Sequence, residues 1–558
     1  MGADDVLLQL GEFGPYQKRL LTSIVLFSIV NAWGPLTVIF THYNPDFTCK
    51  NSVASPEYNV IISKPSSTNH TDLGNATAIV SDDQCEIVPA GAVNGTPEYE
   101  PVPCSEWIFE PENDGGETVT SEMSLVCSRA WLLPFSISMT MIGRSIGNIV
   151  CGVLSDRFGR RTMFGVSSVL VTLSTLVVGL SRDVYIYTIF LSLMVALSSV
   201  QYNVTFVIGS EMVLPRYRNI VGGMVMVGYI IGYASLPLIA YLSNDWHIFF
   251  YIITGASSVF LWGYWTMPET LHWLITKKMF KRAKSLIAEI AEYNKSDGKI
   301  DEMILRPLKE LKVNENNEMK ERENTVEKVE HTTVLQLIKH PLMRSRFLAA
   351  SFSWFVASFV YYAITLNSSY LPGNRYINCL ASALLEIPST LLAYILLDKI
   401  GRVKTSSIFF FTSGIACIIA PLLATWSNVA VSVMIIAGKT AVSGAYYVIF
   451  IHTPELAPTL SRNLFIGVCN AFAYAGSFLS PYVMYIGTNM GMETVSYVLM
   501  GGMGVVASVL ILLFSPETMG TRLPSTIEDA ATQKTVIKGC CRRRNETTKP
   551  ASEEEIFA

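Results

Sequence analysis

Apolar residues along this 558-residue chain are gathered into stretches of about twenty, which short polar segments separate. A helix needs about 20 apolar residues to cross the ~30 Å hydrocarbon core of a bilayer, and lipid cannot satisfy backbone groups left outside a helix or a closed barrel. The pattern therefore predicts an all-α membrane protein with twelve transmembrane helices, six on each side of a polar gap. The expected spans are 20–40, 131–153, 162–180, 184–210, 219–243, 248–267, 346–368, 376–397, 405–426, 429–453, 463–487 and 494–514.

Positive charges indicate which side of the membrane each polar segment faces. Lys and Arg collect in alternate turns, and the turns between them carry almost no charge. Because basic loops face the cytosol, both termini are expected there. The predicted organisation is a cytosolic N-terminus (1–19), an N-terminal six-helix bundle (20–267) with an extracellular loop (41–130), a cytosolic central loop (268–345), a C-terminal six-helix bundle (346–514) and a cytosolic tail (515–558).

The two halves of the chain repeat one another at three places. The repeated pairs are the turns 152–161 and 397–404, the residues Glu211 with Arg218 and Glu455 with Arg462, and the Pro-Glu-Thr segments 268–270 and 516–518. A duplication of six-helix halves is typical of secondary transporters, whose halves move around a central site. We therefore expect two pseudo-symmetric bundles.

Composition narrows the function classes. Half of the residues are hydrophobic and 15% are charged, whereas soluble domains carry about 25% charged residues. The sequence has no glycine-rich phosphate loop, no metal-ligand spacing and no nucleophile–base arrangement. A soluble enzyme and an ATP-driven pump are thus unsupported, and we expect no cofactor, no bound metal and no nucleic acid.

The extracellular loop has its own chemistry. It contains four cysteines and three Asn-X-Thr acceptor sequences for glycosylation, which favours a glycosylated, disulfide-tied cap over a floppy loop with accidental sequons. Four cysteines allow three pairings, and the sequence does not choose between them. The cysteines are Cys49, Cys85, Cys104 and Cys127, and the acceptor residues are Asn69, Asn75 and Asn94.

Several motifs carry a resemblance to a known family. The turn Gly152–Arg161 resembles the signature loop of the major facilitator superfamily. Six further segments resemble the organic ion transporters of solute carrier family 22, in order from Gly11 to Asp529: 11–17, 103–107, 121–127, 268–274, 455–463 and 516–520. The resemblance implies a major facilitator fold and transport of organic cations, of zwitterions such as carnitine, or of organic anions.

The signature loop and its repeats are predicted to gate the cycle. Gly152 and Gly159 allow close backbone approach and unusual dihedrals, and Asp156 can pair with a neighbouring Arg in one state and release it in another. The alternative is a loop that only anchors the protein by its positive charge. The predicted gating residues are Gly152, Asp156, Arg157, Gly159, Arg160, Glu211, Arg218, Asp398, Arg402, Glu455 and Arg462.

Charged residues inside spans indicate a central site, since such residues are costly in lipid and usually face a cavity. Arg144 and Glu386 each precede a loop aspartate by twelve residues, which places both about 18 Å from the loop at ~1.5 Å per residue. With Lys439 in the tenth span, they either neutralise one another or contact the substrate.

Three aromatic residues extend this site by the family resemblance. Trp354 and Tyr361 match aromatic positions of the cation-binding chamber, where ring faces attract cations. Tyr474 stands where cation transporters of the family often carry Asp and where carnitine and anion transporters carry Arg. The charge that usually discriminates between substrates is therefore missing.

The sequence predicts an alternating-access transporter of small organic ions in the plasma membrane. An organic cation is the first choice of substrate, a carnitine-type zwitterion the second and an organic anion the third. A sugar-type porter and a non-transporting receptor are the remaining alternatives. The expected partners are the substrate and the lipid bilayer, and coupling to Na⁺ or H⁺ stays open.

Overall fold

The computed structural model describes residues 3–49, 78–80, 84–89, 102–109, 116–295, 340–458, 462–520 and 524. Within these residues, twelve helical segments are long and apolar enough to cross a membrane, from Pro15–Thr41 to Glu493–Phe514. The predicted all-α class and the twelve spans are confirmed.

The described part of the first half contains one helix near the N-terminus, six spans, one short helix before the second span and two helices after the sixth span. Their bounds are α1 Ala3–Gln9, α2 Pro15–Leu36, α3 Val38–Thr41, α4 Val119–Glu122, α5 Leu132–Phe158, α6 Arg160–Leu180, α7 Val184–Glu211, α8 Arg218–Ser243, α9 Trp246–Ser257, α10 Val259–Thr266, α11 Leu271–Thr276 and α12 Phe280–Asn294.

The second half supplies the other six spans. Their helices are α13 Pro341–Leu366, α14 Arg375–Leu384, α15 Glu386–Ile400, α16 Arg402–Leu422, α17 Asn428–Leu456, α18 Arg462–Asn489 and α19 Glu493–Phe514. The eighth span is thus made of two helices, α14 and α15, where the sequence predicts one. Pro388 explains the break, because proline has no amide hydrogen for the carbonyl of Leu384 and its ring crowds that turn.

Helix ends extend past the apolar stretches. The seventh span begins at Pro341, five residues before the predicted position 346. Proline suits the first turn of a helix, where its missing N–H has no partner to lose. The turn that follows it, which mixes apolar and polar residues, is therefore helical as well.

The loop between the first and second spans, predicted to be extracellular, contains short strands that the sequence analysis did not foresee. Strand β1 (Phe47–Cys49) pairs with β5 (Trp107–Phe109), while β2 (Ala78–Val80), β3 (Glu86–Pro89) and β4 (Val102–Pro103) form a three-stranded antiparallel sheet. Disulfides join Cys49 to Cys104 and Cys85 to Cys127, which selects one of the three pairings left open. The predicted glycosylation residues Asn69, Asn75 and Asn94 lie outside the described residues.

The chain divides into two compact units. The larger unit comprises Met1–Leu26, Phe206–Ala234 and Pro268–Ala558, and the smaller unit comprises Phe27–Thr205 and Ser235–Met267. In the larger unit, α13 packs on α18 and α16 packs on both α17 and α19 around a core that includes Trp354, Phe410 and Phe465. The predicted bundle boundaries stay a prediction.

Candidate functional site

A buried ion pair lies inside the larger unit. Glu386, the first residue of α15, pairs with Lys439 of α17, and their side chains are 5% and 0% exposed. The Lys439 ammonium also donates to the Ser382 carbonyl at 2.8 Å, and the Tyr361 hydroxyl donates to the Glu386 carboxylate at 3.0 Å. Both charges are thus removed from water and satisfied by each other and by neutral partners.

Two tyrosine rings enclose the ammonium group. The Lys439 Nζ atom lies 4.8 Å from the ring centroid of Tyr233 and 5.1 Å from that of Tyr361. The Tyr233 hydroxyl is held by the Ser382 hydroxyl at 3.2 Å. Because ring faces attract cations, this arrangement forms an aromatic cage for a positive charge.

The crossing of α15 and α17 brings the pair together. Ser389 donates to the Thr440 carbonyl at 2.6 Å, and a Cβ atom on Gly444 would lie 2.8 Å from the Ser389 hydroxyl. The absence of a side chain at Gly444 therefore lets the two helices approach closely. Lys439 and Glu386 lie one turn or less from this crossing, so their side chains meet.

The other predicted substrate residues are more widely placed. Trp354 is fully buried and donates from its indole nitrogen to the Thr453 hydroxyl at 2.8 Å. Its ring lies 5.8 Å from that of Tyr446, which stacks at 6.5 Å on Tyr361 of the cage. Tyr474 is half-buried in α18. Arg144 is half-buried in α5 of the smaller unit.

The duplicated turns share one backbone conformation. Gly159 precedes α6 with φ +96°, and Gly401 precedes α16 with φ +92°. The residue after each glycine donates from its guanidinium to a carbonyl five residues back, Arg160 to Ser155 at 3.4 Å and Arg402 to Leu397 at 3.3 Å. The internal repeat is therefore visible in geometry as well as in sequence.

Glu517 caps the start of α16. Its carboxylate accepts from the backbone N–H groups of Arg402 at 2.8 Å and Val403 at 3.2 Å, and from Thr518 at 3.1 Å. A carboxylate at a helix N-terminus satisfies free N–H groups and complements the helix dipole. The sequence analysis identified the repeated Pro-Glu-Thr segment but not this capping role.

A second carboxylate joins the same region. Glu455, near the end of α17, pairs with Arg402 at 3.3 Å and accepts from the Thr518 hydroxyl at 2.5 Å. The ends of α16 and α17 and the segment after α19 are thereby tied together. The sequence analysis placed Glu455 beside Arg462; among the described residues, its ion-pair partner is Arg402.

The remaining gating residues differ in their surroundings. Asp156 pairs with Arg160 at 3.0 Å, as expected for a neighbouring Arg. The expectation of a close approach at Gly152 is wrong, because Gly152 lies within α5 and a Cβ atom there would meet nothing within 4 Å. Arg157 and Asp398 are exposed, while Glu211, Arg218 and Arg462 are half-buried.

The N-terminal segment Gly11–Gln17 contacts two other elements of the larger unit. Glu12 forms an ion pair with Arg216 in the turn before α8, and Phe13 stacks on Tyr217 with ring centroids 5.0 Å apart. Asn294, the last residue of α12, donates to the Leu10 carbonyl at 2.9 Å and accepts from the Tyr16 N–H at 2.9 Å. The segment is thereby fixed to the end of α12.

Replacing Asn294 by alanine is expected to lower the free energy of unfolding by about 1–2 kcal/mol, because two backbone groups lose their partner. Asn294→Asp is the comparison variant: it keeps the acceptor for Tyr16 but turns a carboxylate oxygen toward the Leu10 carbonyl and the Gln17 amide oxygen, so it is expected to lose at least as much stability. Thermal unfolding of the purified variants measures the effect. Unchanged stability in Asn294→Ala would contradict the expectation that these hydrogen bonds hold the segment.

Comparisons with known proteins show the family to which the chain belongs. A family model described as "Sugar (and other) transporter" matches residues 92–528. The organic cation transporter protein of Drosophila melanogaster is 31% identical over 542 residues, which cover 95% of this chain and 94% of that protein. This chain belongs to the organic ion transporters of solute carrier family 22, within the major facilitator superfamily.

Further comparisons agree with this membership. The human organic cation/carnitine transporter 2 is 27% identical over 554 residues, covering 97% of this chain and 95% of that protein. A partially occluded inward-open structure of the xylose transporter XylE from E. coli matches with a TM-score of 0.58 at 14% identity, over 91% of this chain and 100% of that chain, which supports the fold alone. The chain is therefore a multi-pass membrane protein of a transporter family, and the members of this family are not enzymes.

Proposed function

We propose that this protein carries small organic cations across the plasma membrane by alternating access, with both termini in the cytosol. The observation that supports the proposal is the cage around Lys439. Glu386 and the ring faces of Tyr233 and Tyr361 already stabilise one desolvated ammonium group. A substrate ammonium has the same chemistry as the group that this cluster holds, so the cluster is the candidate site for it.

In the proposed cycle, the substrate cation competes with Lys439 for the Glu386 carboxylate. A ligand shifts a conformational equilibrium only if it binds the two states with different affinity. Exchange of the ion-pair partner supplies such a difference, because the contacts that join α15 to α17 change when Lys439 is released. For a permanent cation, the membrane potential contributes about 2.3 kcal/mol per 100 mV and drives uptake.

A carnitine-type zwitterion is the second candidate. Lys439 offers a positive partner beside the negative Glu386, so the two ends of a zwitterion have complementary groups within one cluster. Tyr474 adds no charge that favours either sign. The names of the fly and human relatives, an organic cation transporter and an organic cation/carnitine transporter, agree with these two candidates.

The test is uptake of labelled tetraethylammonium, carnitine and p-aminohippurate in cells that express the full chain, each at two membrane potentials. The proposal expects potential-sensitive uptake of tetraethylammonium, which Glu386→Gln removes when uptake is expressed per amount of protein at the cell surface. Glu386→Gln keeps the shape of the side chain, so the comparison isolates its charge.

Three results would contradict the cation proposal. Preferred uptake of carnitine would establish the second candidate, and preferred uptake of p-aminohippurate an organic anion transporter. Absence of uptake for all three probes, with normal surface expression, would favour a sugar-type porter or a non-transporting receptor. Unchanged tetraethylammonium uptake in Glu386→Gln would remove the cage from the mechanism.

A further inference from the structure

His247, at the extracellular start of α9, faces two hydrogen-bond acceptors. Its Nδ1 atom lies 2.6 Å from the Gly179 carbonyl at the end of α6, and its Nε2 atom lies 2.8 Å from the Glu122 carboxylate at the end of α4. A neutral imidazole has one N–H donor, whereas the imidazolium has two. When Glu122 is a carboxylate, both contacts are hydrogen bonds only if both ring nitrogens carry a proton.

Glu122 offers one carboxylate oxygen to two donors. The oxygen that faces His247 also accepts from the indole nitrogen of Trp246 at 2.7 Å. An ionised carboxylate is a pure acceptor and binds two N–H donors with one oxygen, while a protonated carboxyl group has less acceptor capacity. The geometry therefore fits an imidazolium paired with a carboxylate.

This pair fastens the end of the extracellular loop within the smaller unit. Glu122 lies five residues before Cys127, whose disulfide to Cys85 holds the three-stranded sheet region. The backbone N–H of Trp246 adds a bond to the Glu117 carbonyl at 3.2 Å. The segment before the second span is thus tied to the extracellular ends of α6 and α9.

We propose that His247 and Glu122 form a proton-sensitive clasp that positions the extracellular loop for transport. Imidazole is the side chain that ordinarily changes charge between pH 5 and 8. His247 and Glu122 are 22% and 25% exposed, so external protons reach them. The clasp is closed when both ring nitrogens of His247 carry a proton; when one proton is lost, one acceptor faces another.

The other polar and aromatic groups near His247 have roles of their own and do not take the place of the His247–Glu122 pair. Asp245 accepts from the His247 backbone N–H at 2.6 Å and acts as the cap of α9, and Tyr251 stacks on the imidazole at 6.5 Å. Asp183, near the end of α6, caps α7 through the N–H of Tyr185. Full burial lowers the pKa of His42 to about 3, so that histidine stays neutral across the relevant range.

The first measurement is hydrogen exchange of residues 116–126 in the full chain in nanodiscs at pH 6.0 and 8.0, corrected for the intrinsic pH dependence of exchange. The clasp predicts a loss of protection at pH 8.0 by at least about threefold, as expected for one lost charge-assisted bond. His247→Gln is expected to give equal protection at both pH values, because a glutamine amide does not titrate. Equal protection of the unmodified protein at both pH values would overturn the proposal.

The second measurement is the KM for tetraethylammonium uptake at external pH 6.0 and 8.0, a readout that rests on the proposed function. Tetraethylammonium does not titrate, so any pH effect belongs to the protein. The KM is expected to be about threefold higher at pH 8.0 than at pH 6.0. This rise is expected to be absent in His247→Gln. It is expected to persist in the control variant His70→Gln, which removes a different histidine of the predicted extracellular loop. The same rise in His247→Gln would reject the clasp, whereas absence of all uptake would reject the proposed substrate and leave the exchange result to decide.

Discussion

Glu386→Ala is expected to lower the free energy of unfolding by about 3–5 kcal/mol, because it leaves the Lys439 charge buried without a counter-ion. Lys439 is fully buried, and its remaining partners are the Ser382 carbonyl and the faces of two tyrosine rings. These neutral groups cannot compensate for the loss of a carboxylate. Thermal unfolding of the purified protein and the amount at the cell surface measure the change.

The double variant Glu386→Ala/Lys439→Ala separates packing from transport. The double variant is expected to lose less free energy of unfolding than the more destabilised of the two single variants, since neither charge is then left unpaired. Folding should recover in the double variant while cation uptake stays lost. Recovery of uptake together with folding would show that the pair is structural only.

Tyr361→Phe is the matched control for this cluster. It keeps the ring face near Lys439 and removes the hydroxyl that donates to Glu386. The expected loss of stability is about 1 kcal/mol, as for a single hydrogen bond. A loss as large as that of Glu386→Ala would mean that the hydroxyl, and not the ion pair, holds the cluster together.

The sequence was sufficient for the fold because each span is longer and more apolar than any soluble helix requires. It was insufficient where the local pattern does not determine the structure. The helix of the seventh span begins five residues before the predicted position, because a turn of mixed apolar and polar residues continues the helix beyond the continuous apolar stretch. The strands of the extracellular loop pair over long sequence distances, as Phe47 does with Phe109, and short segments carry no signal for such partners.

The candidate site was predictable to the extent that it contains charges. Glu386 and Lys439 are conspicuous because ionisable residues inside spans are rare, and the structure pairs them. Tyr233 gave no comparable signal, since a tyrosine in an apolar span is most often a packing residue. Arg144 was grouped with Glu386 because the two occupy equivalent positions in the repeat, and the structure places them in different units.

Gly401→Ala is expected to lower the free energy of unfolding by about 2–4 kcal/mol, the sum of backbone strain and a lost helix cap. The backbone at Gly401 has φ +92° and ψ 171°, a region that is nearly restricted to glycine. A Cβ atom there would also lie 2.5 Å from the carboxyl carbon of Glu517. Glu517 can move away only by giving up its bonds to the N–H groups of Arg402 and Val403.

Two variants distinguish these causes. Gly152→Ala is the matched control, because it lies in a helix with open space around it and alanine is favoured there by up to ~1 kcal/mol; it is expected to be neutral or stabilising. Glu517→Ala removes the cap without strain, and combining it with Gly401→Ala should cost less than the two separate losses added together, since the clash is then absent. Simple additivity in this cycle, measured by thermal unfolding, would show that Gly401 and Glu517 act independently and that strain alone accounts for the glycine.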